Sequence, residues 1–437
     1  MNNIIVLKRF RLPIFEYFYV FIMIIYMAQS TPETGRMVGL ISGNPIPFLF
    51  PIILTFILCQ RHSITFNNKY LHLTLIIYGI WAICSLTKYN IFNTKELSYH
   101  FFMVYAIIIA YIHNQIFGYK LFHIYEHILV LLCRIALIGW LIAILIPSTN
   151  SFFRLFPETG YGNHIFYIFN WMDPAKGQIY AGILRNAGCS WEPGRFAIMI
   201  TLAIYCNLCN NGIKFKQNIN IWILLITLAT TQSTTGYCIC LISYSIFLVK
   251  RFNIKYLTIT ILFSISAIYA ISQIDFIGNK ISTKIKEAND VSRLEESFAW
   301  QETVFKKGEQ SYAIDRLDAM VFEWMNFKND PILGYGRNTE HSYFYNNLST
   351  NCSLANGLMV TFSMYGIFLG SFFFYILFLS SKKIAKDSNY SRPIALFILI
   401  CLSAISYTIL SIPIFTTFWF YGLFSSNIHK AHKIKCN

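Results

Sequence analysis

Long apolar runs follow one another through nearly the whole of this 437-residue chain, and few folds are open to such a sequence. Crossing a hydrocarbon core of about 30 Å takes roughly 20 helical residues, and in lipid each spanning segment must satisfy its own backbone polar groups. Runs near that length lie at 12–29, 37–59, 70–87, 99–117, 121–146, 195–209, 218–232, 234–249, 256–275, 354–380, 393–410 and 413–428. The expected fold is all-α, a polytopic transmembrane helical bundle of about 12 spans. Composition agrees: 55% of residues are hydrophobic and 13% charged, against about 25% charged in soluble domains.

Orientation follows from lysine and arginine, which are retained on the cytoplasmic side of short loops. With the N terminus inside, eighteen of them lie on inner loops or inner ends, from Lys8, Arg9 and Arg11 to Lys430, Lys433 and Lys435. Short outer loops hold three, Arg36, Lys88 and Lys95. Two long polar interruptions, 147–194 and 276–355, then face outward. Residues 1–437 form one integral membrane domain, because even the 276–355 segment is too short to bury a large core of its own. The first apolar run lacks a small-residue cleavage site and reads as a retained span.

The net charge of +15 is accounted for by this topology and by attraction to anionic lipid heads; nucleic acid is not implied. Most of the eleven cysteines sit in or beside apolar runs, where they serve as small packing residues. Cys189 and Cys352 fall in the outward segments, where an oxidising compartment permits pairing.

The first outer segment runs through Arg185, Gly188, Ser190, Trp191 and Glu192 into Pro193, Gly194 and Arg195. Proline suits a first helical turn, and Ser190 is a candidate N-cap. A helix start there presents free N–H groups to an anionic oxygen, and Arg185 and Arg195 add forked donors suited to phosphate. The same residues also read as an interfacial anchor, with Trp191 in the aromatic belt and Glu192 and Arg195 as a headgroup pair.

In the second segment, Ile314, Leu317, Val321 and Trp324 give Ala313–Lys328 one apolar stripe, an amphipathic helix that ends before Pro331. Arg316 lies beside that stripe and either faces a cavity or snorkels. Gly334, Tyr335, Gly336 and Arg337 then read as a mobile glycine turn, followed by His341. A histidine there can take a proton from a sugar hydroxyl, or be a solvated loop residue. His123, Glu126 and His127 match HxxEH, a zinc spacing, but no third ligand is evident, so an interfacial role is expected and no metal. Arg134, deeper in the same run, is a functional candidate by its depth and pairs with Glu126 or snorkels. No DxD or nucleotide fingerprint occurs, so no cofactor is expected and a lipid-linked donor is favoured over a nucleotide sugar.

Taken together, the run into Trp191-Glu192-Pro193-Gly194, the stretch Thr231–Gly236, and the stretch from Arg316 through Pro331, Gly334, Gly336 and His341 to Asn356, Gly357, Tyr365 and Gly366 resemble the O-antigen polymerase and O-antigen ligase superfamily. Ligases of that superfamily often carry an arginine after the serine of the middle motif. This chain has Thr234 there, which favours polymerase. The resemblance implies a bacterial inner-membrane enzyme that moves a glycan from undecaprenyl diphosphate onto a lipid-linked repeat unit at the outer face, with inversion. Arg185, Arg195, Arg316 and Arg337 become the expected diphosphate ligands, His341 the expected base, and Glu192 the alternative base. Implied partners are the undecaprenyl-diphosphate-linked oligosaccharide, membrane lipids, a chain-length regulator and a flippase. Two other readings stay open: a ligase that hands the glycan to lipid A core, and a flippase that moves the lipid-linked oligosaccharide without bond chemistry.

Overall fold

The computed structural model describes residues 4–7, 10–28, 46–90, 92, 94–159, 161–176, 179–180, 182–213, 215–248, 316–343, 356–388 and 390–425. The expected span at 256–275, the beginning of that at 37–59, residues 276–315 and 344–355 of the second outer segment, Cys352 and the C-terminal lysines lie outside them.

The described chain is mostly helical. A short hairpin, β1 (Ile4–Leu7) and β2 (Phe10–Pro13), leads into α1 (Ile14–Ala28), α2 (Ile46–His62), α3 (Lys69–Tyr89), α4 (Thr94–Ile116) and α5 (Lys120–Leu145). The segment 147–194 carries α6 (Thr149–Phe153), strands β3 (Glu158–Thr159), β4 (Gly162–Ile165) and β5 (Phe169–Met172), and the hairpin β6 (Ile179–Tyr180) and β7 (Ile183–Leu184). Then come α7 (Pro193–Asn211), α8 (Ile219–Thr230), α9 (Thr234–Leu248), α10 (Arg316–Asn329), α11 (Gly357–Asp387), α12 (Ala395–Ala404), α13 (Pro413–Trp419) and α14 (Tyr421–Phe424).

Four of the described helices are long and apolar enough to cross a membrane: α3, α4 from Glu96 to Ile116, α5 and α11. Helices α1, α2, α8, α9 and α12 are apolar but shorter; the ten residues of α12 reach only about 15 Å. On α3 the exposed face is Leu73, Ile76, Ile80 and Ile83, each more than half exposed. A water-facing helix would carry charges at those one-turn intervals, and a lipid-facing one carries what is found here. The centre is α7, whose residues from Arg195 to Asn210 are buried without a break, wrapped by α5, α8 and α9.

Helix ends follow their sequence. Asn68 accepts hydrogen bonds from the Tyr70 and Leu71 N–H groups at the start of α3, and Asn90 closes it in the left-handed conformation, both common uses of asparagine. Pro193 occupies the first turn of α7, as expected. The cap residue, however, is Glu192, making no side-chain cap bond, while the Ser190 hydroxyl donates to the Ala28 carbonyl at 2.9 Å. The all-α expectation also needs correcting in the first outer segment, where β3, β4 and β5 form a three-stranded antiparallel sheet. Its buried Trp171 and Phe169 pack beside Phe153, so short strands, not loop, roof this part of the bundle.

The helix at the end of the second segment stops at Asn329 as expected, but its buried face differs. Ala319, Phe322, Glu323 and Asn326 are buried, and Trp324 is 45% exposed. A buried polar pair can outcompete an apolar stripe when its hydrogen bonds are satisfied. Asn326 Nδ2 donates to Glu323 at 3.3 Å, and the Ser363 hydroxyl of α11 donates to the same carboxylate.

Candidate active site

Helix α11 is broken at Gly366, whose φ of 70° and ψ of 179° are not helical. A break in a spanning helix frees backbone groups that must find partners, and the loop after α10 supplies them. Tyr335 N–H donates to Ser363 O at 2.9 Å, Gly336 N–H to Met364 O at 3.1 Å, and Ile367 N–H to Pro331 O at 2.8 Å. The fit needs bare glycines: a Cβ on Gly366 would stand 1.9 Å from Ile332 O, and one on Gly334 2.4 Å from Met364 O. The expected mobile glycine turn is therefore a docked one. Its glycines permit backbone-to-backbone approach at positive φ, and every residue that follows inherits a fixed position.

Arg337 is the first of these. Its Nη1 donates to the Tyr365 hydroxyl at 2.5 Å, and its guanidinium lies 5.9 Å from that ring's centroid. Its Nε is buried and has no acceptor among the described residues. Around it stand Trp81, edge-on to Tyr365 at 4.9 Å, and Tyr78, which is bonded to His100 at 3.1 Å. Trp81 is held in turn by its Nε1 donating to Leu333 O at 2.9 Å. A permanently charged fork with an unsatisfied donor in an aromatic wall is suited to an anionic oxygen.

His341 lies four residues on, at the mouth of the same cluster. Its ring stacks on Tyr89 with centroids 4.2 Å apart and planes 7° from parallel, and its Nε2 is 3.2 Å from Glu96 Oε1. Glu96 is 4% exposed and also accepts from Asn338 Nδ2. Lys88 pairs with Asp330 at the rim. Helices α3, α4 and α11 thus meet the loop at one common end.

Arg185 and the pair Glu192 and Arg195 have separate surroundings. Arg185 Nε donates to Thr231 O at 3.1 Å, and Asn186 clasps Thr230 through backbone and side chain at 3.0 Å each. The Thr231–Gly236 stretch is therefore the turn between α8 and α9 and the first residues of α9, with Thr231 beside Arg185. Arg195 is buried, lies 5.7 Å over the Tyr407 ring, and feels the charge of Glu192. The Tyr407 backbone in turn packs on the start of α11, where a Cβ on Gly357 would stand 2.2 Å from Tyr407 O. Arg316 opens α10, but its side chain lies outside the described residues.

The opposite end holds the HxxEH residues. Glu126 accepts from Asn207 at 2.6 Å, Asn210 at 2.8 Å and Asn220 at 3.3 Å, and His127 bonds the Tyr17 hydroxyl at 2.8 Å. Among the described residues no group of histidine, cysteine, aspartate and glutamate side chains suits a metal. Amide donors, not Arg134, hold the Glu126 carboxylate; Arg134 is exposed on α5. Cys189 is a buried free thiol.

Sequence reasoning missed Glu96, Tyr89, Trp81 and Tyr365 as site residues. Glu96 sits one position after Lys95 at a span boundary, where a charged pair reads as headgroup contact. No family model matches this chain, and no curated protein matches it.

Proposed function

We propose that the chain is a multi-pass enzyme of the bacterial inner membrane, with about twelve spans, that polymerises an O-antigen or a related surface polysaccharide. It transfers a glycan from undecaprenyl diphosphate to a hydroxyl of a second lipid-linked repeat unit at the outer face. The observation that carries this reading is Arg337, a half-buried guanidinium whose buried Nε has no acceptor among the described residues, set four residues from His341. A diphosphate leaving group needs its developing negative charge neutralised, and a fixed cation does this without metal or acid. The acceptor hydroxyl needs a base, which His341 supplies. Arg185, Arg195 and Arg316 extend the cationic surface along the rest of the diphosphate, and Glu192 orients Arg195.

The arrangement of the assigned arginines favours transfer over transport: Arg337 stands on the docked loop beside Tyr365 and Arg185 beside the turn after α8, whereas a flippase would place its cations along a translocation route within the spans. Incubation of the purified protein with a lipid-linked repeat unit in detergent, without nucleotide, tests the proposal. Lengthened glycan on the lipid is the expected product. Transfer only to lipid A core would make the protein a ligase, and an unchanged substrate would overturn the enzymatic reading.

A further inference from the structure

Glu96 has no part in the chemistry described so far, yet it is the most enclosed acidic group at this end with a histidine against it. It comes from the first turn of α4, while His341 comes from the docked loop 245 residues later. A carboxylate taken out of water is held only when donors satisfy it. Here the donors are Asn338 Nδ2 and the His341 ring, and Asn338 Oδ1 in turn accepts from the Glu340 N–H at 3.1 Å. The loop therefore folds back through Asn338 to grip the carboxylate that faces its own histidine. Tyr89 covers one face of the imidazole, and its hydroxyl donates to Gly334 O at 3.3 Å, so the stacking partner is fixed to the same docked backbone.

We propose that Glu96 is a positioning residue that selects the reactive tautomer of His341: Nε2 carries the proton and donates it to Glu96 Oε1, so Nδ1 is the ring nitrogen with the lone pair that receives the acceptor's proton. This rests on the glycosyl-transfer reading above and specifies its base to the atom. The step balances as follows. The acceptor O–H bond breaks and its proton passes to Nδ1. The acceptor oxygen forms the new bond to the anomeric carbon. The bond from that carbon to the phosphate oxygen breaks, and its electron pair leaves with the lipid diphosphate, whose charge Arg337 meets. The imidazolium formed is stabilised by the Glu96 carboxylate against its Nε2. With no carboxylate at 96, the ring loses the acceptor that selects the proton-bearing nitrogen, and kcat falls.

The test uses the full-length chain in detergent with a lipid-linked repeat unit as both donor and acceptor. His341→Ala is expected to lose about 100- to 10,000-fold in kcat. Glu96→Gln is expected to lose at least about tenfold in kcat with KM unchanged, because it removes charge and tautomer selection but not substrate contacts. Glu96→Asp, which keeps a carboxylate, should recover part of the loss. Asn338→Ala, which leaves both partners but loosens their grip, should fall between parent and Glu96→Gln. Thermal melting of each variant separates folding from rate. Should Glu96→Gln melt early, Asn338→Ala and Glu96→Asp decide, since a merely structural role would lower melting temperature in all three without a kcat-specific loss. Dead His341→Ala alongside Glu96→Gln at parent kcat overturns the role of Glu96 alone. Parent-like elongation by His341→Ala overturns the base itself, and with it both readings of His341.

Discussion

Glu96 and Glu126 are both buried carboxylates, 4% and 6% exposed, at opposite ends of the helical bundle, and both are held by asparagine amides. Around Glu126 three amides converge, and the Asn207 that donates to it accepts from Asn218 at 2.7 Å. Around Glu96 one asparagine is joined by a histidine, and an arginine whose buried Nε has no acceptor among the described residues stands on the same loop. Full satisfaction by neutral amides makes a rigid pin between α5, α7 and α8. Satisfaction by a titratable ring leaves a group able to exchange protons, and an unsatisfied cation leaves a place for an anion. Burial of a charge does not identify a site; what completes its hydrogen bonds does.

The comparison breaks most sharply at Arg337. Arg337→Lys keeps the charge but loses the fork, and turnover of the lipid-linked substrate should fall by about 100- to 1,000-fold while the melting temperature stays close to parent. Equal turnover in the two proteins would make the arginine a structural residue like those around Glu126. Next in size is the docking of the loop itself. Gly366→Ala forces a side chain into the Ile332 carbonyl at positive φ and should destabilise the protein by about 3 kcal/mol, seen in detergent denaturation, with activity lost in proportion to the undocked loop.

A pH effect of similar or smaller size is expected beneath α10. Burial raises the Glu323 carboxyl from 4.5 to about 7, against the pull of its Ser363 and Asn326 hydrogen bonds. Between those values the folded protein holds a proton that the unfolded chain releases, so stability falls as pH rises across the interval and is fully lost above about 7, by on the order of 3 kcal/mol. Glu323→Gln should flatten melting temperature against pH; an unchanged slope would place the titration elsewhere. The smallest effect on chemistry belongs to the other end. Glu126→Gln turns an acceptor toward three donors into a mixed group and should cost about 1 to 3 kcal/mol of stability, with turnover per folded molecule unaltered. A specific loss of turnover would dissolve the contrast between the two carboxylates.

Much of this architecture was legible in the residues. The apolar runs at 70–87, 99–117 and 121–146 correspond to α3, α4 and α5, and Pro331 marks the end of α10, because burying apolar surface at helical period and losing an N–H are local effects. The face of α10 was not legible. Ile314, Leu317, Val321 and Trp324 define the greasier stripe, but the buried Glu323, bonded to Asn326 in its own helix, also takes a hydrogen bond from Ser363, a partner that exists only after folding. The GxG at Gly334–Gly336 is too common a pattern to carry meaning until the broken helix at Gly366 comes to rest against it.

The site divides in the same way. Sequence alone determined that arginines and a histidine lie in polar segments between apolar runs, since the cost of placing charge in hydrocarbon forces them there. It also determined that Arg337 and His341 travel together, being four residues apart. Only the tertiary structure decided that Glu96 meets His341 and that Tyr365 meets Arg337. Those pairs join separate helices, and their geometry arises from the docking of backbone onto backbone at Gly334, Gly336 and Gly366, where the absence of a side chain sets the distance.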